Sequence, residues 1–144
     1  KMMVNPVHMA AIYTAFSNNG NMLKPYLVKE NGSKKQVLKE TIFTKQAVNT
    51  VNEAMRQVIR DLSGTGHAAN IEGVDLRGKT GTAEIKQSQT DTKGTEIGWF
   101  VTIMPATNNK EALELVSMTE NVKKRGGSGY VVNKTKKIME EYLQ

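Results

Sequence analysis

The chain has 144 residues, 38% of them hydrophobic and 6% aromatic, with a formal net charge of +6 and no cysteine. That length suits one small domain or a large part of one, on a lean apolar content. The lack of thiols excludes disulfides, thiol catalysis and thiolate metal sites, no stretch is apolar enough to span a membrane, and the basic residues lie scattered over Lys34-Lys35, Lys123-Lys124-Arg125 and 134–137 without interleaved aromatics, which argues against a nucleic-acid footprint.

In chain order, Asn5 suits an N-cap and Pro6 the first position of a helix. Met9, Ile12, Tyr13 and Phe16 recur at i, i+3, i+4 and i+7, an apolar face that docks on something, and Gly20 at C′ ends the helix. Residues 22–28 read as a short strand that Pro25 pushes to a sheet edge, Asn31-Gly32 as a turn, and Gln36-Val37-Leu38 as the returning hairpin partner. Thr44 caps a second helix over residues 45–61, with Val48, Val51, Met55, Val58, Ile59 and Leu62 in one stripe. Residues 63–73, interrupted by glycines, form a connector around one short helical turn. Strands at 74–86, 96–104 and 112–120 follow with short connections, hence an antiparallel meander. Residues 87–95 make a long polar loop of the kind that flanks a site. Residues 126–129 form a second loop, where Ser128 caps the last helix. The fold class is α+β, a three-stranded antiparallel meander flanked by helices.

The densest chemistry lies in Gly78-Lys79-Thr80-Gly81-Thr82-Ala83-Glu84, followed by Gly98-Trp99-Phe100. Along an extended strand Lys79 and Gly81 point to one face, Thr80 and Thr82 to the other, and Gly81 leaves bare backbone for a ligand to approach. Residues 73–80 also match the phosphate-binding pattern G-x-x-x-x-G-K-[ST]. A true P-loop needs a buried strand before it and a helix starting at the Lys-Thr; here the flanks are polar and Gly81-Thr82 start a helix badly. His8 and His67 have no third ligand at metal-binding spacing, so no metal site is expected. Glu84 reads as a strand carboxylate paired with a cross-strand lysine rather than as a general base.

Lys-Thr-Gly is also one of three signatures of the serine acyl-transferases. The surroundings fit: Trp99 to Ala106 forms a hydrophobic strand ending in Pro-Ala, residues 112–119 and 130–143 supply a third strand and C-terminal helix, and Gly64-Thr65-Gly66 leads toward the motif. Upstream, Asn5-Pro6-Val7-His8 to Asn19-Gly20 and Lys24-Pro25-Tyr26 match the helix and strand that precede it. Over nearly its whole length the chain resembles the C-terminal part of a penicillin-binding protein transpeptidase domain, of the monofunctional class B and low-affinity Gram-positive type. The resemblance implies a β-lactamase/transpeptidase-like fold. The family's nucleophile motif, Ser-x-x-Lys, does not occur; Ser17-Asn18-Asn19 satisfies its second motif, Ser-x-Asn, only as a helix end, and Thr90-Asp91-Thr92-Lys93 sits in a polar loop. Residues 1–144 therefore read as a fragment, since Lys1 is not an initiator.

The resemblance implies a role for each motif residue. In the intact family a serine attacks the carbonyl between two D-alanines of a wall stem peptide, an amine resolves the acyl-enzyme into a cross-link, and β-lactams acylate the same serine. Lys79 would supply positive charge, reaching inward beneath the site. Thr80 and Thr82 would border the cleft and bind the substrate carboxylate, and the Thr82 N–H would be an oxyanion donor. Gly81 would keep the strand edge open. Trp99 reads as core before cleft wall, and is kept among the substrate-binding candidates. No cofactor is implied. The implied partners are stem peptide, β-lactams and the N-terminal part of the same domain, in a parent anchored outside the bacterial cytoplasmic membrane. The competing reading is a noncatalytic binding module on the same sheet.

Overall fold

The computed structural model describes residues 3–28, 34–86, 88–91, 93–108 and 110–144. The Asn31-Gly32 turn lies outside the described residues, as do Gln87 and Thr92 of the polar loop.

Helix α1 (Pro6–Ser17) starts as its residue types require: the Asn5 carboxamide accepts the His8 N–H at 2.9 Å, and Pro6 sits where no amide donor is needed. Its end departs from expectation. Asn19, at φ 53°, takes the left-handed C′ position, and Gly20, at φ 85°, follows and donates its N–H to the Ala15 carbonyl at 2.8 Å. The buried face also differs, because Ala11 and Ala15 carry it while Ile12 is exposed and Met9, Tyr13 and Phe16 are half-buried. Two small side chains let the helix backbone sit close to the sheet, and the larger ones wedge beside it. Phe16 stacks on Phe43 at 5.0 Å between ring centroids.

The hairpin of β1 (Met22–Leu23) and β2 (Val37–Lys39) is antiparallel as expected, but β1 stops before Pro25, which has no N–H for a ladder. It is tied to α1 by the Leu23 N–H, which donates to Thr14 Oγ1 at 2.9 Å.

Helix α2 (Lys45–Arg60) is capped by Thr44, whose hydroxyl accepts the Ala47 N–H. Its buried stripe is Val48, Asn52, Met55 and Ile59. Val51 lies at the margin and Leu62 is 86% exposed, correcting the expected stripe: Leu62 falls after the helix has ended, so helical spacing no longer governs where it points. Asn52 is buried because its amide donates to the Phe16 carbonyl at 2.9 Å, satisfying one of the open acceptors at the end of α1.

A 3-10 turn (His67–Ala69) interrupts the connector, and β3 (Arg77–Ile85), β4 (Thr95–Met104) and β5 (Leu113–Thr119) then form the expected meander in the order β3-β4-β5. Helix α3 (Ser128–Leu143) closes the chain; Ser128 is its first residue rather than its cap, since Gly127 at φ 62° holds the cap position.

The register sorts the sheet into two faces. Gly78 and Thr80 lie across from Thr102 and Phe100, which pair in turn with Leu115 and Ser117. This face meets α3 and holds the core: Phe100, Met104, Leu76 and Ile59 with Val122, Val131, Val132 and Met139. The Thr135 hydroxyl donates to Ser117 Oγ at 2.8 Å and pins α3 to β5. Lys79, Gly81, Trp99, Val101, Ile103, Glu114, Val116 and Met118 share the other face, where α1 packs against β5.

Asp75 fastens α2 to the start of β3. Its carboxylate accepts from Arg56 Nε at 2.7 Å and from Arg77 Nη2 at 3.0 Å, with Arg60 at 3.6 Å. Hydrogen bonding from Arg56 above all holds its pKa down to about 2, against 3.8 for a free aspartate. A depressed carboxylate stabilises the fold fully above the free value and loses that contribution as pH falls through the folded one. Asp75→Asn is therefore expected to cost on the order of 1 kcal/mol at pH 7 after solvent screening. Urea titrations of both proteins should show the gap closing at pH 2.

Candidate functional site

β3 is an edge strand, so one of its long sides carries no neighbouring strand among the described residues. Lys79 lies in its middle and is exposed, and its Nζ donates to the Thr80 carbonyl at 2.7 Å. Since that carbonyl takes a side-chain ammonium, it faces the open side. Backbone groups two residues apart in a strand face the same way, which turns the N–H of Thr82 to that side too.

The two threonines differ from each other. Thr82 is exposed, opposite Gly98. Thr80 is only 8% exposed, and its hydroxyl sits 2.7 Å from that of Thr65. The register puts both threonines on one face, as alternation requires, and within this chain the connector holds the Thr80 hydroxyl. Lys79 stands on the opposite face of the strand and is exposed within this chain.

Trp99, paired with Gly81 across the ladder, shares the face of Lys79 and is half-buried. Core packing falls instead to Phe100, which is fully buried. A Cβ built on Gly81 would meet only Trp99 Cβ, at 3.4 Å, an ordinary contact. Within this chain, nothing sterically demands that glycine, and any demand for it comes from what approaches the edge.

The packing roles of two residues named in the sequence reading come only from the structure. Gly78 is one: a Cβ there would lie 2.9 Å from both Ile59 Cδ1 and Phe100 Cε2, so this glycine lets the strand lie against the core. Thr65 is the other, fixed by the Gly64 and His67 backbone bonds of the connector, Gly64 N–H to Asp61 O and His67 N–H to Gly64 O, both 2.9 Å. The glycines on either side of Thr65 were the available signal.

Glu84 bonds Lys86 at 2.7 Å, and that hydrogen bond lowers its pKa. The expected cross-strand lysine is not its partner, because the register puts Glu96 opposite. Lys79 and Thr80 sit mid-strand and open no helix, which removes the phosphate-loop reading of residues 73–80. Among the described residues there is no group of three or more His, Cys, Asp or Glu that could hold a metal, and no helix long and apolar enough to cross a membrane. One aromatic does lie among the basic residues: the Tyr130 ring has Arg125 at 5.4 Å and Lys134 at 5.5 Å.

Residues 2–140 match the family model described as the penicillin binding protein transpeptidase domain. Penicillin-binding protein 3 of Bacillus subtilis is 39% identical over 137 residues, covering 95% of this chain and 20% of that protein. Peptidoglycan D,D-transpeptidase FtsI of Buchnera aphidicola is 25% identical over 99% of this chain and 25% of its own length. Among solved structures, the transpeptidase domain of Burkholderia pseudomallei penicillin-binding protein 3 superposes with a TM-score of 0.69 at 20% identity, over 95% of this chain and 42% of that one. The D,D-transpeptidase domain from Eggerthella lenta gives 0.67 at 25% identity, over 98% of this chain and 33% of that one. The chain thus spans about a fifth to a quarter of these curated relatives and less than half of the solved domains. With its motif on an edge strand and residues 2–140 matched by the family model, the chain belongs to the penicillin-binding protein transpeptidase family, as a portion of that domain.

Proposed function

We propose that this chain is the substrate-gripping portion of a peptidoglycan D,D-transpeptidase. The observation that carries the reading is an ammonium, Lys79, and a hydroxyl, Thr82, standing open on an edge strand whose outward backbone can pair with an extended ligand. A stem peptide ends in a carboxylate and offers a backbone to such an edge, and so does an opened β-lactam.

In the proposed mechanism the nucleophilic serine comes from the remainder of the domain. Its Oγ attacks the carbonyl between two D-alanines while its proton passes to the neighbouring lysine of Ser-x-x-Lys. The Thr82 N–H donates to the oxygen that becomes negative, a contact that strengthens as charge develops. Lys79 attracts the substrate carboxylate and favours proton delivery to the leaving D-alanine amine. An amine from a second stem peptide then attacks the ester, restoring the serine hydroxyl and forming the cross-link. Thr82 Oγ1 binds the carboxylate directly, and Thr80, anchored to Thr65, keeps the strand in position. Trp99 flanks the site on the Lys79 face. The parent works at the outer face of the cytoplasmic membrane, where the wall precursor is found.

Labelled penicillin separates the partners. The isolated chain has no Ser-x-x-Lys and is expected to gain no covalent mass, whereas the full-length protein gains one penicilloyl group. A stable adduct on the isolated chain would place the nucleophile within these residues and overturn the assignment.

A further inference from the structure

Helix α1 is built unlike the other two. On the sides they turn to water, α2 carries Lys45, Glu53 and Arg60, and α3 carries Lys134, Lys137 and Glu141, the usual pattern of a surface helix. α1 includes no Asp, Glu, Lys or Arg, so it has no charged side to present. Its burial is nevertheless slight. Within α1 only Ala11 and Ala15, in the second and third turns, are buried, and the helix touches β1, α2 and β5. Residues 3–8 are exposed without a break, including Met3 at 92% and Val7 at 45%, and Ile12 further along the helix is 39% exposed.

A helix that is apolar on every side belongs inside a larger body or in a membrane, because apolar surface left in water forgoes roughly 25 cal/mol for each Å². The membrane does not fit. α1 rises about 18 Å over its length, well short of a hydrocarbon core of about 30 Å. It also lacks the charged face of a helix that lies along a bilayer surface. The occupant of its outer surface is therefore protein.

The solved transpeptidase domain of Burkholderia pseudomallei penicillin-binding protein 3 extends well beyond the matched part, since this chain covers 42% of it. More than half of such a domain lies outside these residues and has to be joined to them. The sheet marks the side on which it joins. α1 packs on β5 over the face that carries Lys79, where Met118 is also exposed and Trp99 half-buried. A body seated on α1 thus stands beside the ammonium that the proposed mechanism pairs with a serine from outside this chain.

We infer that the outer surface of α1, with Met3, Val4, Val7 and Ile12, is the seat on which the serine-bearing remainder of the same transpeptidase domain packs. α1 is then a core helix of the whole domain, shared between its two portions. The inference rests on the reading of this chain as part of a larger transpeptidase.

The 144 residues include no cysteine, so introduced thiols report on access. Val7→Cys and Ile12→Cys are made in the full-length protein, alkylated with a small maleimide, and read by mass on the peptide that carries each position. In the folded protein both thiols are expected to react roughly 100-fold slower than in urea, since they meet the reagent only when the two portions part. Alkylation of the folded protein within about threefold of the unfolded rate would overturn the inference. So would protection that grows with protein concentration, because the occupant would then be a second copy. Ile12→Glu, which forms helix about as well as isoleucine, should lower the melting temperature of the full-length protein by about 5 °C or more. Ile12→Leu should stay within about 2 °C of wild type. A Glu variant as stable as wild type would also overturn the inference, and where that variant yields no folded protein the cysteine rates decide. Penicillin labelling of the wild-type full-length protein is a separate readout. Labelling with open thiols removes only the docking inference, whereas protected thiols without labelling remove the transpeptidase reading and leave the seat on α1 in place.

Discussion

Lys79→Ala in the full-length protein is expected to slow acylation by penicillin and stem-peptide cross-linking by roughly 10²–10³-fold, the scale seen when one preorganised electrostatic contact to a reacting centre is removed. The fold should scarcely notice. The ammonium is exposed and, among the described residues, bonds its own strand's Thr80 carbonyl, so its loss leaves no buried charge behind. The melting temperature should stay within about 2 °C, as for surface substitutions away from packed features. Lys79→Arg keeps the charge but spreads it over a planar fork, and part of the rate should return. Stopped-flow acylation with a reporter β-lactam measures both variants. A Lys79→Ala rate within threefold of wild type would exclude an electrostatic role for this side chain.

The largest loss of stability is expected from Gly20→Ala. Its φ of 85° already disfavours any side chain, and a Cβ there would sit 2.1 Å from the Phe43 carbonyl oxygen. That oxygen belongs to backbone held close by two bonds, since the Ile42 and Phe43 N–H groups both donate to the Gly20 carbonyl. Either the end of α1 or the approach to α2 must move. The combined cost is about 2–4 kcal/mol, a left-handed penalty plus a backbone collision. Gly73→Ala separates the two terms, because Gly73 has a φ of 77° and nothing within 4 Å of the added carbon. It should lose only about 1 kcal/mol. Urea denaturation of the three proteins gives the comparison, and equal losses at both positions would show that the collision relaxes at no cost.

What could be read from the sequence follows the range over which each effect acts. The Asn5 and Thr44 caps and the meander of β3, β4 and β5 depend on neighbours a few residues apart. Helix and strand types were accordingly legible, and so was the motif, since alternation alone puts Lys79 and Thr80 on opposite faces. Asn52 shows the limit: an asparagine within an apolar stripe looks like an interruption until the Phe16 carbonyl, 36 positions earlier, is seen to need its amide. The same holds for Trp99 and Phe100. Both are large and aromatic, and only the register with β3 and β5 decides that Phe100 enters the core and Trp99 turns to the Lys79 side. The expected faces of α1 and α2 missed in detail because apolar spacing marks which side is buried but not which residue sits closest to the neighbour.

The Thr65 to Thr80 contact makes the recognition strand adjustable from a distance. Each hydroxyl has one hydrogen to give, so whichever threonine donates within the pair decides whether Thr80 keeps a proton for another acceptor. A substitution at Thr65, fifteen positions upstream, can thus reorient the Thr80 hydroxyl while every letter of Lys-Thr-Gly stays the same.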